Sequence, residues 1–327
     1  MQTPAWQQAL SEAFTDLPSL LAYLELDRVP LPAELHAARQ FGLRVPKAFA
    51  ALMQPGDALD PLLRQVLPLA EETVQLPGYS DNPVGDREAE VSPGLLHKYP
   101  GRVLMVATGA CAVHCRYCFR RHYPYASGTA SPRQWRAILD YLCAHPEVEE
   151  VILSGGDPLM VSDARLADWL SQLASLPHLK RLRLHTRLPV VLPERVTPEL
   201  VALLSASRLQ SLVVIHANHP NELSATVARS LAMLKGVGIP LLNQSVLLKG
   251  VNDHAETLAR LSERLFELGV QPYYLHLLDR VAGAAHFDVE ESRATALLSS
   301  LRSALPGYLV PKLVREIAGE SCKTPVV

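Results

Sequence analysis

From about residue 100 the chain repeats one rhythm: a short apolar run, a polar turn, then a helical stretch. RVLMVAT, VEEVILS, LKRLRLHT, LQSLVVIHA, IPLLNQSVLL and VQPYYLHLL read as strands. The apolar spacing predicts helices over about 132–143, 162–175, 197–206, 221–235, 254–268 and 289–304. Strands alternating with helices must pair in parallel through right-handed crossovers, which makes this an α/β chain. Six units are two short of the eight that close a barrel, so an open, partial (β/α)6 barrel fits, as does a doubly wound sheet. Polar motifs follow five of the six runs: CAVHC, GGDP, HANHPNE, NQ and LLDR. Sites in parallel α/β folds gather at the carboxyl ends of strands, and so many motifs favour a barrel mouth over one switch-point crevice. Residues 1–95 read as an N-terminal helical segment broken by prolines, 96–306 as the partial barrel and 307–327 as a C-terminal tail.

The bulk numbers exclude several classes. With 31 basic and 33 acidic residues among 327, the chain lacks the basic footprint of a general nucleic-acid binder. MQTPAWQQALSEAFTDL has neither the cationic nor the apolar region of a signal peptide, and no run is long and apolar enough to span a membrane. A cytoplasmic protein with no membrane partner is the expectation. Five cysteines are an odd number in a chain too large to need disulfide staples, so a cysteine cluster here reads as metal-binding or catalytic.

That cluster is CAVHCRYCFRR, in which Cys111, Cys115 and Cys118 form C-x3-C-x2-C just after the first strand. Structural zinc wants four ligands, commonly in two CxxC-like pairs. His114 and His122 would offer a fourth, but the spacing is unlike a zinc ribbon or finger. Three thiolates suit a [4Fe–4S] cluster whose fourth iron stays open to a small molecule. S-adenosyl-L-methionine (SAM) can chelate that iron, and an electron from the cluster then releases a 5′-deoxyadenosyl radical. This is the radical-SAM arrangement, and Tyr117 before the last cysteine suits its motif. Ser154, Gly155, Gly156 and Asp157, after the second strand, stand where such enzymes line the SAM amino group.

Together, YPGRVLMVATGACAVHCRYCFRR, VILSGGDPL, HANHPNE, LLNQSVLLKGVND and GESCKTP resemble the lysine 2,3-aminomutase family, from about residue 75 onward. Within it the chain most resembles bacterial members that isomerise L-lysine to β-lysine for modification of elongation factor P. A stand-alone metabolic role, or action on another amino acid, is the alternative. The resemblance implies pyridoxal 5′-phosphate as a further cofactor, with Lys323 as its Schiff-base lysine. It implies Lys98, Tyr99 and Arg102 for the phosphate, and His216 and Gln244 for the SAM pocket. It places the substrate carboxylate on Arg120 and the lysine ammonium between Asp279 and Glu316, where lysine-specific relatives have two aspartates. It also implies an electron donor of flavodoxin or ferredoxin type and a functional link to the ligase that modifies elongation factor P. An oligomer is compatible with it. Outside these motifs, Cys143 reads as a small core residue of its helix, and Cys322 matches no motif.

Overall fold

A computed structural model of the chain describes residues 4–27, 35–125 and 131–327. Ten strands form one sheet in chain order: β1 (Glu90–Ser92), β2 (Leu95–Tyr99), β3 (Arg102–Thr108), β4 (Glu150–Gly155), β5 (Arg181–Thr186), β6 (Gln210–Ile215), β7 (Leu241–Val246), β8 (Gln271–His276), β9 (Lys312–Arg315) and β10 (Thr324–Pro325). Strands β3 to β9 are parallel; β1–β2, β2–β3 and β9–β10 are antiparallel. The order runs from β1 to β10 without returning to its start, so the sheet is an open barrel.

The six strands read from the sequence are β3 to β8, each within about two residues of its apolar core, and the helices fall where the spacing put them. Capping explains the sharp starts. Ser131, Ser162, Thr197 and Ser224 each accept a backbone N–H from the first turn of the following helix. The N-terminal helical segment begins with two short helices, Ala5–Ser11 and Leu17–Tyr23, with Asp16 capping the second. The hairpin β1–β2 crosses the boundary drawn at residue 95, and the tail supplies β9 and β10.

Alternation within the strands makes the interior a cavity instead of a packed core. On β5, Leu182 and Leu184 are buried in the apolar layer while Arg183 and His185 line the cavity. On β7, Gln244 and Val246 line the cavity, and on β8 Tyr274 and His276 do so. The apolar layer continues under the helices, where Trp135 and Trp169 stack at 5.3 Å. Helix Pro132–Ala144 buries Trp135, Ile138 and Leu142. Cys143 lies one position past that stripe and is exposed, which corrects its reading as a core residue.

The N-terminal segment is bolted to the cysteine loop by charge. Arg116, between two of the cysteines, is fully buried and donates from Nε to Glu72 Oε1 at 2.8 Å and from Nη2 to Glu72 Oε2 at 2.5 Å. Arg121 adds a bond from Nη2 to Glu72 Oε2 at 2.8 Å.

Candidate active site

The barrel encloses a cavity of about 1140 Å³, and all sixteen residues singled out from the sequence line it. They arrive from β2, β3, the cysteine loop, the ends of β4, β6 and β7, the loop after β8, and the tail.

The cysteine loop leaves β3 with Cys111, Cys115 and Cys118 on the cavity wall. Burial and the neighbouring cysteines push the Cys118 thiol up to about 11, and the same causes raise Cys111. Three soft sulfur donors brought together at that cost suit an iron–sulfur cluster, whose irons would take up the thiolate charge. His114 Nδ1 lies 2.9 Å from the Gly42 carbonyl and His122 Nε2 3.1 Å from that of Ala282. Among the described residues no three His, Cys, Asp or Glu side chains are grouped to hold a single metal ion.

The SGGDP turn packs directly on the start of this loop. Gly156 N–H donates to Thr108 O at 2.7 Å and Asp157 N–H to Ala110 O at 2.8 Å. Gly155 has φ +121°, and a Cβ there would lie 2.6 Å from Thr108 O. A Cβ on Gly156 would run into the Ala110 carbonyl. Both glycines are therefore required by backbone against backbone. Asp157 is spent within the protein: it accepts from Thr186 Oγ1 at 2.7 and 2.9 Å, from Arg187 N–H at 2.7 Å and from Leu159 N–H at 3.0 Å. Burial pushes it up to about 6 even so.

His216, just after β6, is half-buried, and its Nε2 is buried without a partner among the described residues, as is that of half-buried His185. Burial, then the Arg187 charge, lowers His216 to about 3, so its ring is neutral. An unpartnered imidazole nitrogen on a cavity wall calls for a ligand atom, and together with Gln244 it suits a polar group such as SAM's.

Arg120 is buried. Its Nε donates to Asp86 Oδ2 at 2.6 Å and its Nη1 to Ser154 Oγ at 3.1 Å. Asp86 also pairs with Lys98 at 2.7 Å. Burial alone would raise Asp86, but the Arg120 and Lys98 charges win and hold it below the usual carboxylate range. Lys98 donates further to Val84 O at 2.7 Å and lies 3.6 Å from Glu316 Oε1. Its ammonium is thus already well supplied with oxygens. Arg102 lies 4.5 Å over the Tyr99 ring and has no ion-pair partner among the described residues, which leaves its charge available to a phosphate.

Glu316, just past β9, gathers the other end. Tyr99 Oη donates to its Oε1 at 2.5 Å and Lys323 Nζ to its Oε2 at 2.8 Å. Burial would raise Glu316, but these partners outweigh it and lower the carboxyl. Lys323 also lies 5.8 Å over the Tyr274 ring. Asp279 has no hydrogen-bonded side-chain partner among the described residues, and burial pushes it up to about 7. A reactive amine, a cation for phosphate and two carboxylates share this wall, a donor set that fits pyridoxal phosphate and an ammonium-bearing substrate.

The sequence reading missed Asp86, Arg183, His185, Arg187, Tyr274 and His276. The alternation in LKRLRLHT carried a signal for Arg183 and His185, since every second residue of a half-open strand faces the cavity. Asp86 sits in a Pro/Gly-rich loop with no pattern to mark it.

An open parallel barrel with three cysteines after its first parallel strand defines a radical-SAM protein, and the sequence profile of the Radical SAM superfamily matches residues 105–262. Among solved structures, Streptococcus suis SuiB bound to S-adenosylmethionine aligns with a TM-score of 0.52 at 14% identity, over 67% of this chain and 51% of that one. At that identity the likeness speaks for the fold. The L-lysine 2,3-aminomutase of Escherichia coli (strain K12) is 50% identical over 100% of this chain and 96% of its own. That of Haemophilus influenzae is 49% identical over 98% and 94%, and that of Clostridium subterminale 34% over 98% and 77%. The chain belongs to the lysine 2,3-aminomutase family of radical-SAM enzymes. A [4Fe–4S] cluster and SAM come with that membership.

Proposed function

We propose that the protein isomerises L-lysine to β-lysine by a 1,2-amino shift. The observation that carries this reading is that one cavity is lined by Arg120, by the acid pair Asp279 and Glu316, by the three cysteines and by Lys323. A guanidinium fork matches an α-carboxylate, and two acids match a side-chain ammonium. Glu316 already holds a lysyl ammonium, that of Lys323, at 2.8 Å.

In this reading Cys111, Cys115 and Cys118 hold the cluster, and His216, Gln244 and the SGGDP turn line the SAM pocket. When bound there, the cluster and SAM would supply radical chemistry for breaking a C–H bond. Lys323 and Arg102, with Tyr99 and Lys98 beside them, would hold pyridoxal phosphate, which would supply a π-system able to delocalise an unpaired electron. The chain's own work is orientation. Arg120 fixes the carboxylate, Asp279 and Glu316 fix the far end, and the barrel keeps water and oxygen from the radical. Lys323 must lose a proton to act as an amine, and substrate ammonium arriving at Glu316 would displace it from its present partner.

The destination of β-lysine is the modification of elongation factor P, with a flavodoxin- or ferredoxin-type donor supplying the electron. The motif resemblance supports both. The deciding assay is anaerobic: protein with reconstituted cluster, pyridoxal phosphate, SAM, dithionite and L-lysine, with β-lysine followed by mass spectrometry. Product that requires both SAM and pyridoxal phosphate is expected. 5′-Deoxyadenosine without β-lysine would keep the radical chemistry and overturn the substrate.

A further inference from the structure

Arg187 follows β5 directly and is buried against the cysteine loop. Its Nη1 donates to Cys115 Sγ at 2.7 Å. Its Nη2 donates to Gln65 Oε1 at 2.6 Å and to Glu222 Oε2 at 3.0 Å. Its Nε is buried without a partner among the described residues. The guanidinium also lies 5.3 Å over Phe49 and 5.7 Å over Tyr117. Its position is set from several sides. Asp157 accepts its backbone N–H, and Glu222 is anchored by the backbone N–H groups of Asn218 and His219 at 2.8 and 3.0 Å and by Gln65 Nε2 at 3.1 Å. No substrate or phosphate role is needed to explain so fixed a cation, and its one sulfur contact is a cluster cysteine.

We infer that Arg187 is a positioning residue that sets the reduction potential of the cluster by donating a charge-assisted hydrogen bond to Cys115, with Glu222 as its counterweight. The inference rests on the radical-SAM reading of the cysteines. Gaining one electron adds one negative charge to the cluster and its thiolates. A cation and an N–H···S bond favour the more negative state, so they raise the potential. Glu222 opposes this from the other side of the guanidinium. The pair therefore makes two predictions of opposite sign, which a loss of packing would not.

The test is a redox titration of the reconstituted full-length protein without SAM, using dithionite and mediators. The signal of the reduced cluster is followed by electron paramagnetic resonance, and iron and sulfide are counted in parallel. Arg187→Gln should lower the potential so that, at fixed ambient potential, the reduced-to-oxidised ratio falls about tenfold, about 59 mV for a one-electron couple. Arg187→Lys should fall between it and the wild type, and Glu222→Gln should shift the other way. Variants that carry a full iron count and titrate with the wild type would overturn the proposal while leaving the radical-SAM reading intact. If Arg187→Gln takes up no iron, Glu222→Gln decides: an unchanged potential in that variant overturns it. A wild type that assembles no four-iron cluster would overturn the radical-SAM reading itself, a failure visible before any variant is compared.

Discussion

Asp279 shows how a single side chain can work against the fold and for the site. Burial pushes its carboxyl up to about 7, against 3.8 ordinarily. The folded protein therefore holds that proton more tightly than the unfolded chain, and Asp279 makes stability fall as pH rises from about 4 to about 7. Asp279→Asn should remove this cost, raising Tm at pH 8 in the cofactor-free protein, while lysine turnover is lost. An unchanged Tm would mean that the carboxylate is solvated. In the wild type, lysine KM should rise as pH drops through 7, because a neutral acid cannot hold an ammonium, while kcat changes less. Lys323→Ala should keep iron content and SAM binding but lose both the Schiff-base absorbance and β-lysine formation. Retained turnover would move the amine elsewhere.

At the scale of elements, the fold depends on two junctions around the cysteine loop. One is the fully buried Arg116–Glu72 pair, which joins the N-terminal segment to the loop. Removing Glu72 strands the buried Arg116 guanidinium, whose ion pair is with that carboxylate, so Glu72→Met should cost about 3–5 kcal/mol in urea unfolding. Lys47→Ala, which breaks the exposed pair with Glu12, should cost about 0–1 kcal/mol. Equal losses would refute the idea that the loop is pinned from behind. The other junction is the backbone contact of SGGDP with Thr108 and Ala110. Gly156→Ala has no flexible side chain to push aside, so it should displace the loop and abolish cluster assembly, read as iron and sulfide content. The glycines were legible in the sequence as a turn after a strand. Their reason was not, because the partner backbone lies some 45 residues earlier in the chain.

At the scale of the molecule, the two ends of the open sheet are tied by side chains next to its edge strands. Tyr99 on β2 bonds Glu316 past β9, and Glu316 holds Lys323. Tyr99→Phe should leave the global melt within about 1 kcal/mol, the worth of one hydrogen bond, yet speed amide exchange in residues 312–327. Unchanged exchange there would mean that β9–β10 pairing alone holds the tail. The amino-acid sequence by itself determined the βα rhythm, the six strands β3 to β8 and the helices that cap on Ser131, Ser162, Thr197 and Ser224, because periodicity and capping act over a few residues. The C-x3-C-x2-C spacing was equally local, so Cys111, Cys115 and Cys118 could be proposed as cluster ligands without coordinates. Only the tertiary structure decided that Asp86 joins Arg120 to Lys98, that Arg187 reaches Cys115, and that Tyr99 on β2 bonds Glu316 past β9. Those pairings link residues 12 to 217 positions apart, and what brings them together is the closing of the sheet around a cavity, which no local pattern encodes.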